Sequence, residues 1–469
     1  MQSWLVQRIG LWIILVVWLG LASWRLTVPA YPYFDEVYHV PAAELIAQGD
    51  VSAFEWWHPA YDGINYFDWL HPPIAKLIQA QAINWFGDSA FGWRVGSVVA
   101  GSLALWGMWE LAWLWFGSRQ SAWLATLFLA TDGLFLVQSR IAMLDIYLVT
   151  ELIWLVWLFG CWWKTETSIK KTWLHFRIRH LDNLSDWWLI IVIGLVAGLI
   201  SATKWTGIWP VMALFAIEFG KDVSLRLAAL IPRKYLAKLN GSKNSWRRPT
   251  GIRIGQKWSV WLVLVAGVYL ASYTFAFGRG KTWQDIAELN SQALSYHLHR
   301  DQIHNYASGP IDWFLNQRAT WYWGASLEEI SASDVPENTT ASIYAVGNPL
   351  QSLWLSASIL GWLFFRAKQH KTQPKFSQFL WLSLYAASFI PWFFSPRILF
   401  YYHYLPAVPF GILLSLGWWR NQGWVKLGWT AMLSGLVIAS FGMWYPHWVG
   451  LLVPAWLENN LYFLFSSWK

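Results

Sequence analysis

The apolar residues of this 469-residue chain gather into runs of roughly 18–22 residues joined by short polar connectors, and no other feature restricts the fold as tightly. Within hydrocarbon every backbone N–H and C=O must be bonded inside the segment, which leaves helices as the way for such runs to cross. Eleven spans are expected, over residues 9–28, 93–116, 121–138, 145–163, 187–203, 206–220, 258–277, 347–365, 377–394, 403–419 and 424–444. Composition agrees, since 13% of residues are charged, about half the share usual in a globular domain. The expected fold class is an all-α polytopic membrane protein. Its 42 tryptophans suit that setting, because indole favours the bilayer interface; a minority beside the polar loops could stack on a sugar. The single cysteine, Cys161, excludes an intrachain disulfide, and no Cys/His metal spacing occurs.

The net charge of +8 does not point to nucleic acid, because its distribution follows the membrane. Ten Lys and Arg fall within residues 221–257 against a single acid, Asp222, and residues 164–185 and 366–376 are also basic. Placing these segments in the cytoplasm satisfies the positive-inside rule, with the N-terminus inside and the C-terminus outside. The first span lacks a small-residue cleavage site and is expected to remain as an anchor. Two large loops then face outward, residues 29–92 and 278–346, both longer than connectors need to be. Within the first, Pro73 opens a helical pattern (Ile74, Leu77, Ile78, Ala82, Trp85, Phe86), expected to lie along the outer membrane surface as an amphipathic helix. The chain divides into a core over 1–220, a basic cytoplasmic loop over 221–257, and C-terminal helices over 258–469. It shows no internal repeat and no separable soluble domain.

The chemistry-bearing residues collect at the outer ends of these spans. Asp35-Glu36 stands just past the first span, followed by Tyr38-His39 and later by His71-Pro72-Pro73. Arg94 opens the second span, and Asp132 and Arg140 are eight residues apart, so one face of a helix is expected to display both. Asp145, Lys204 and Arg397 occupy other span ends, and Tyr402 lies in Phe400-Tyr401-Tyr402-His403-Tyr404. Ionisable groups at membrane depth are costly, so they are rare unless paired or functional. Taken singly, each cation could snorkel to headgroups, and Asp132 could pair with Arg140 to lock two helices. Together they suit an anion held at the membrane edge, such as a lipid-linked phosphate.

The ordered set Phe34-Asp35-Glu36 with Tyr38-His39, His71-Pro72-Pro73-Ile74-Ala75-Lys76, Gly92-Trp93-Arg94, Ser139-Arg140 with Leu144-Asp145, and Thr203-Lys204-Trp205-Thr206-Gly207 resembles the protein O-mannosyltransferase family. Tyr296-His297, His304-Asn305-Tyr306 and Phe400–Pro406 extend the resemblance over most of the chain. It implies a GT-C type glycosyltransferase of about eleven transmembrane helices with its site on the outer face of the plasma membrane. Such an enzyme moves mannose from a polyprenyl phosphate to Ser or Thr of exported proteins. Residues 278–346 are too short for the β-trefoil domain of fungal and animal members, so the chain resembles the bacterial type.

On this basis Asp35 is the expected base, a role taken from the family pattern, with Glu36 orienting a neighbouring helix or His39, or touching the sugar. Arg140 and Lys204 are the first candidates to hold the donor phosphate. Arg397, Tyr402, His71, Arg94 and Asp145 are further substrate-binding candidates. A divalent metal on Asp35 and a histidine is conceivable, but cations around the phosphate make it dispensable, so no cofactor is expected. The expected partners are the polyprenyl-phosphate donor, acceptor proteins and the bilayer. Two other functions compete: a related transferase acting on a lipid or cell-wall glycan, and a transporter, which the lack of repeats and midplane charges disfavours. The sequon at Asn338 and the pair Trp56-Trp57 add little.

Overall fold

The computed structural model describes residues 8–57, 68–166, 186–230, 254–298, 304–326, 338–368, 375–463 and 468. The basic stretches 167–185, 231–253 and 369–374, and His58-Pro59 after Trp57, lie outside the described residues. In chain order the main helices are α1 (Ile9–Ser23), α2 (Glu36–Gln48), α3 (Ile74–Phe86), α4 (Ala90–Phe116), α5 (Arg119–Ala130), α6 (Gly133–Gln138), α7 (Asp145–Glu166), α8 (Asp186–Thr203), α9 (Ile208–Leu230), α10 (Ile254–Ala271) and α11 (Trp283–Leu298). Short strands β1 (Thr320–Gly324), β2 (Thr339–Thr340) and β3 (Ser342–Ala345) follow, then α12 (Pro349–Lys368), α13 (Phe376–Phe389), α14 (Val408–Asn421), α15 (Leu427–Val449) and β4 (Val453–Pro454). β1 pairs antiparallel with β3, and β2 with β4.

Each expected span contains helix, in some places as two pieces, but residues 24–28 of the first are not helical. Among the described residues, four helices are long and apolar enough for a full crossing: α4, α7, α10 and α15. Shorter apolar stretches lie in α1, α8 and α12. The loop helix α3 begins where Pro73 places it and keeps an apolar face of Ile78, Trp85 and Phe86 exposed. Its other face buries Lys76 and Gln79 as well as alanines, against α2 and α4.

The expected continuous helix over 121–138 is broken. α5 ends at Ala130, and Asp132 restarts the chain as the N-cap of α6, its Oδ1 accepting from Phe135 N at 2.9 Å. The backbone group freed by the break is bonded from afar, since Asn348 donates to the carbonyls of Thr131 (3.1 Å) and Val437 (2.9 Å). Gln351 closes the break by accepting from Thr131 Oγ1 at 3.1 Å and donating to Asp132 Oδ2 at 3.3 Å. Asp132 and Arg140 therefore do not share a helix face, and the pairing between them is not made.

At the opposite end of the bundle, residues expected in a cytoplasmic basic loop are buried. Glu218 accepts from Lys221 (2.7 Å) and Lys257 (2.5 Å), and Lys257 also meets Asp222 at 2.9 Å. Trp162 donates to the same Glu218 at 3.2 Å, so α7, α9 and α10 are joined by one compensated charge cluster.

Gly133 sits at the turn after the break with the Trp448 ring of α15 directly over its Cα, where a Cβ would fall inside the indole. Gly133→Ala is expected to destabilise the protein by about 1–3 kcal/mol through overpacking. A thermal melt of the detergent-solubilised variant checks this.

Candidate active site

Glu36 anchors the site. It is the first residue of α2, has no exposed surface, and receives Arg94 Nε and Nη2 in a fork, both at 2.8 Å. Its oxygens also accept from the backbone N–H of Ala142 (2.8 Å) and Tyr33 (3.3 Å). Arg94 commits its remaining N–H groups to the carbonyls of Leu26 (2.9 Å), Pro29 (2.8 Å) and Tyr31 (3.0 Å). All five guanidinium donors are thus used inside the protein. The pair ties α2, α4, the segment after α1 and the turn before α7 to one point.

Asp35 precedes Glu36 and faces elsewhere. Phe34 adopts φ +52°, a left-handed conformation unusual for a bulky side chain, and its ring stacks on Tyr322 at 3.9 Å and 13°. Tyr322 is the bulged residue of β1, since the register with β3 slips between Trp321 and Trp323. Such a bulge re-aims a side chain. Gln138 then fixes the Tyr322 hydroxyl at 2.6 Å. The Asp35 carboxylate remains half-buried and accepts from the Tyr402 hydroxyl at 3.1 Å. Burial pushes its carboxyl above the usual range, although His39, the Tyr402 hydroxyl and Lys204 pull the other way. Lys204 lies 5.2 Å from the centre of the Tyr402 ring and bonds both oxygens of Asp145, at 2.8 and 2.9 Å.

A second carboxylate, Asp68, gathers the histidines. Its oxygens meet Nδ1 of His39 at 3.0 Å and Nδ1 of His71 at 2.7 Å. The buried Lys76 ammonium donates to the carbonyls of Asp68 and His71 and lies 3.6 Å from the Asp68 carboxylate. Burial alone would raise this carboxyl, but His71, Lys76 and His39 together hold it well below the ordinary range. Burial also pushes His71 down to about 3, against the pull of Asp68. The His71 ring meets His297 edge-on at 5.7 Å, and His297 accepts from Arg397 at 2.7 Å. Burial and the adjacent guanidinium push His297 down to about 4.

Of the sequence-expected residues, Asp35, Tyr402, Lys204 and Asp145 form one group, and His71 and Arg397 meet on His297. Glu36 binds the neighbouring helix α4 through Arg94, in line with the orienting role expected of it, and both its oxygens are bonded within that sealed pair. Two expectations are corrected. Arg94 cannot reach a phosphate, because all its donors are spent on Glu36 and carbonyls. Arg140 turns to the end of α1 and donates to the carbonyls of Leu21 (3.3 Å), Ala22 and Arg25 (3.3 Å). There it satisfies groups that a helix C-terminus leaves open. Asp68 and Tyr322 were not anticipated from sequence; the only signal for Asp68 is its position three residues before His71.

Comparison with known proteins gives a consistent result. Residues 12–238 match the family model described as dolichyl-phosphate-mannose-protein mannosyltransferase, and residues 282–468 match that of the C-terminal four-transmembrane region of protein-O-mannosyltransferase. A polyprenol-phosphate-mannose–protein mannosyltransferase of Corynebacterium glutamicum is 24% identical, covering 96% of this chain and 90% of its own. One from Mycobacterium tuberculosis is 24% identical over 95% of this chain and 88% of its own. Among solved structures, the S. cerevisiae protein O-mannosyltransferase Pmt1-Pmt2 complex bound to the sugar donor superposes with a TM-score of 0.70 at 14% identity, over 99% of this chain and 93% of that one. ArnT from Cupriavidus metallidurans bound to undecaprenyl phosphate gives 0.53 at 15% identity, over 94% of this chain and 64% of that one.

Removing one member of a sealed ion pair strands the other charge. Glu36→Gln is expected to cost about 3–5 kcal/mol, and the replacement of Arg94 by Gln a similar amount. The double variant should lose less than the sum of the two, as a double-mutant cycle of thermal or denaturant stability would reveal.

Proposed function

Since the chain belongs to the protein O-mannosyltransferase family and has its GT-C fold, we propose that it transfers mannose from a polyprenyl-phosphate donor to Ser or Thr hydroxyls of exported proteins, with inversion, on the outer face of the plasma membrane. The observation that carries this reading is the placement of Asp35: a half-buried carboxylate held by Tyr402 beside fixed cations, at the end of an apolar bundle. Tyr402 occupies one oxygen of Asp35 and leaves the other for an acceptor hydroxyl. Asp35 takes the hydroxyl proton as that oxygen attacks the anomeric carbon from the face opposite the phosphate. General-base assistance of this kind contributes about 10²–10⁴-fold.

The leaving phosphate needs positive charge that is not already cancelled. Lys204 is neutralised by Asp145, and Arg94 by Glu36. Arg397 donates to the neutral imidazole of His297 and meets no carboxylate among the described residues. It is therefore the primary phosphate ligand, with Lys204 holding Tyr402 and adding field. Fixed cations aimed at developing charge are worth most in a water-poor site. The donor's lipid tail lies against the bundle while its phosphate sits at the level of the loops.

Asp35→Asn should lower kcat for mannosylation of a Ser/Thr-rich peptide by at least about 10²-fold, with donor binding retained. Arg397→Gln should lower kcat as well as raise KM for the polyprenyl-phosphate mannose. The base must be ionised, and burial raises its carboxyl, so kcat/KM should fall on the acid side at a pH above that of an ordinary aspartate, about 3.9. Assays in proteoliposomes across pH would show this; transfer by Asp35→Asn at the wild-type rate would exclude Asp35 as the base.

A further inference from the structure

A half-buried base that has taken a proton must lose it before the next turnover, and with substrate bound one oxygen of Asp35 is held by Tyr402 while the other, on the reading above, faces the acceptor. Asp68 lies next to this problem. Its backbone N–H donates to Tyr38 O at 3.0 Å, which fastens it to α2, and its carboxylate meets the Nδ1 atoms of His39 and His71. A carboxylate only accepts, so each ring must present N–H to it, and the neutral ring then carries its lone pair on Nε2. Lys76, also buried, keeps Asp68 an anion. His39 stands one helical turn beyond Asp35, its own N–H accepted by the Asp35 carbonyl at 3.2 Å.

We propose that Asp68 is a positioning residue that holds His39 and His71 with protons on Nδ1, so that His39 Nε2 takes over the proton which Asp35 removes from the acceptor. This rests on the mannosyltransferase reading above. The acceptor O–H bond breaks as its oxygen bonds the anomeric carbon, and the electron pair of the cleaved C–O bond leaves with the phosphate. The proton passes to Asp35, then to His39 Nε2, and from that imidazolium to water, which restores the carboxylate. Asp68 stabilises the imidazolium through the Nδ1–H bond it already makes, the division of labour seen wherever a buried carboxylate backs a histidine base. A bare counter-ion for Lys76 would not require two imidazoles on the carboxylate.

The test uses the full chain in lipid. Asp68→Asn can accept from only one imidazole through its carbonyl, and its amide forces the other ring to carry the proton on Nε2. Asp68→Asn and His39→Gln should each lower kcat about 10²-fold while KM for the donor stays within about twofold of wild type. Should Asp68→Asn fail to fold, His39→Gln, which leaves Asp68 and Lys76 in place, carries the same test. Solid-state 15N NMR of histidine-labelled protein, assigned with His39→Gln and His71→Gln, should show both rings unprotonated at Nε2. A kcat for His39→Gln within twofold of wild type would overturn the relay, as would wild-type spectra with Nε2–H on His39. Absence of transfer by the wild type would refute the mannosyltransferase reading and the relay with it, while the spectra would still decide the tautomers.

Discussion

The bond between Glu36 and Arg94 is the contact on which the rest of the site depends. Neither side chain touches water, and every N–H of the guanidinium has a partner. Two charges withdrawn from solvent are tolerated only when geometry and further hydrogen bonds compensate the desolvation, and here they do. The pair fixes the direction in which the chain leaves α1, where α2 starts, and how the turn at Ala142 enters α7. Asp145 opens α7, so the position of Lys204 follows from the same anchor two steps removed.

Two adjacent carboxylates consequently have opposite fates. Glu36 is the first helical residue and points into the bundle, while Asp35 stands at the N-cap position without a side-chain capping bond and turns its carboxylate to Tyr402. The left-handed backbone at Phe34 makes that divergence sharp, and the stacked Tyr322 ring holds it in place. Backbone strain of this kind persists only where surrounding contacts over-determine it. The bulge in β1 is one of those contacts, which gives the small β1–β3 pair a purpose in a mainly helical protein.

Much of this was legible in the order of residues. Apolar run lengths located the helices, Pro73 marked the start of α3, and Asp35, Lys204, Asp145 and Tyr402 were recognisable as polar residues at helix ends. What spacing could not supply was the partner of each cation. Arg94, Arg140 and Arg397 look alike in sequence, yet one is spent on a carboxylate, one on helix carbonyls, and one keeps its charge. The break at Asp132 was hidden for a similar reason. It is stabilised by Asn348 and Gln351, more than two hundred residues away, so local periodicity favoured a continuous helix. Asp68 carries no periodic signal at all, and its meaning emerges only when His39 and His71 converge on it.

The charges then follow a simple rule. Arg94 is cancelled by Glu36, Lys204 by Asp145 and Lys76 by Asp68, while Arg140 rests on the negative end of α1. Compensated pairs are the form in which ionic groups can be packed against an apolar bundle at low cost. Asp35 and Arg397 stand outside this scheme, each touching a neutral group, Tyr402 or His297. A sugar-phosphate reaction creates opposite demands at its two ends, a proton to be removed from the attacking oxygen and negative charge to be held on the departing one. The uncancelled carboxylate and the uncancelled guanidinium match those demands in sign, and the paired charges around them supply the rigid frame that keeps them apart.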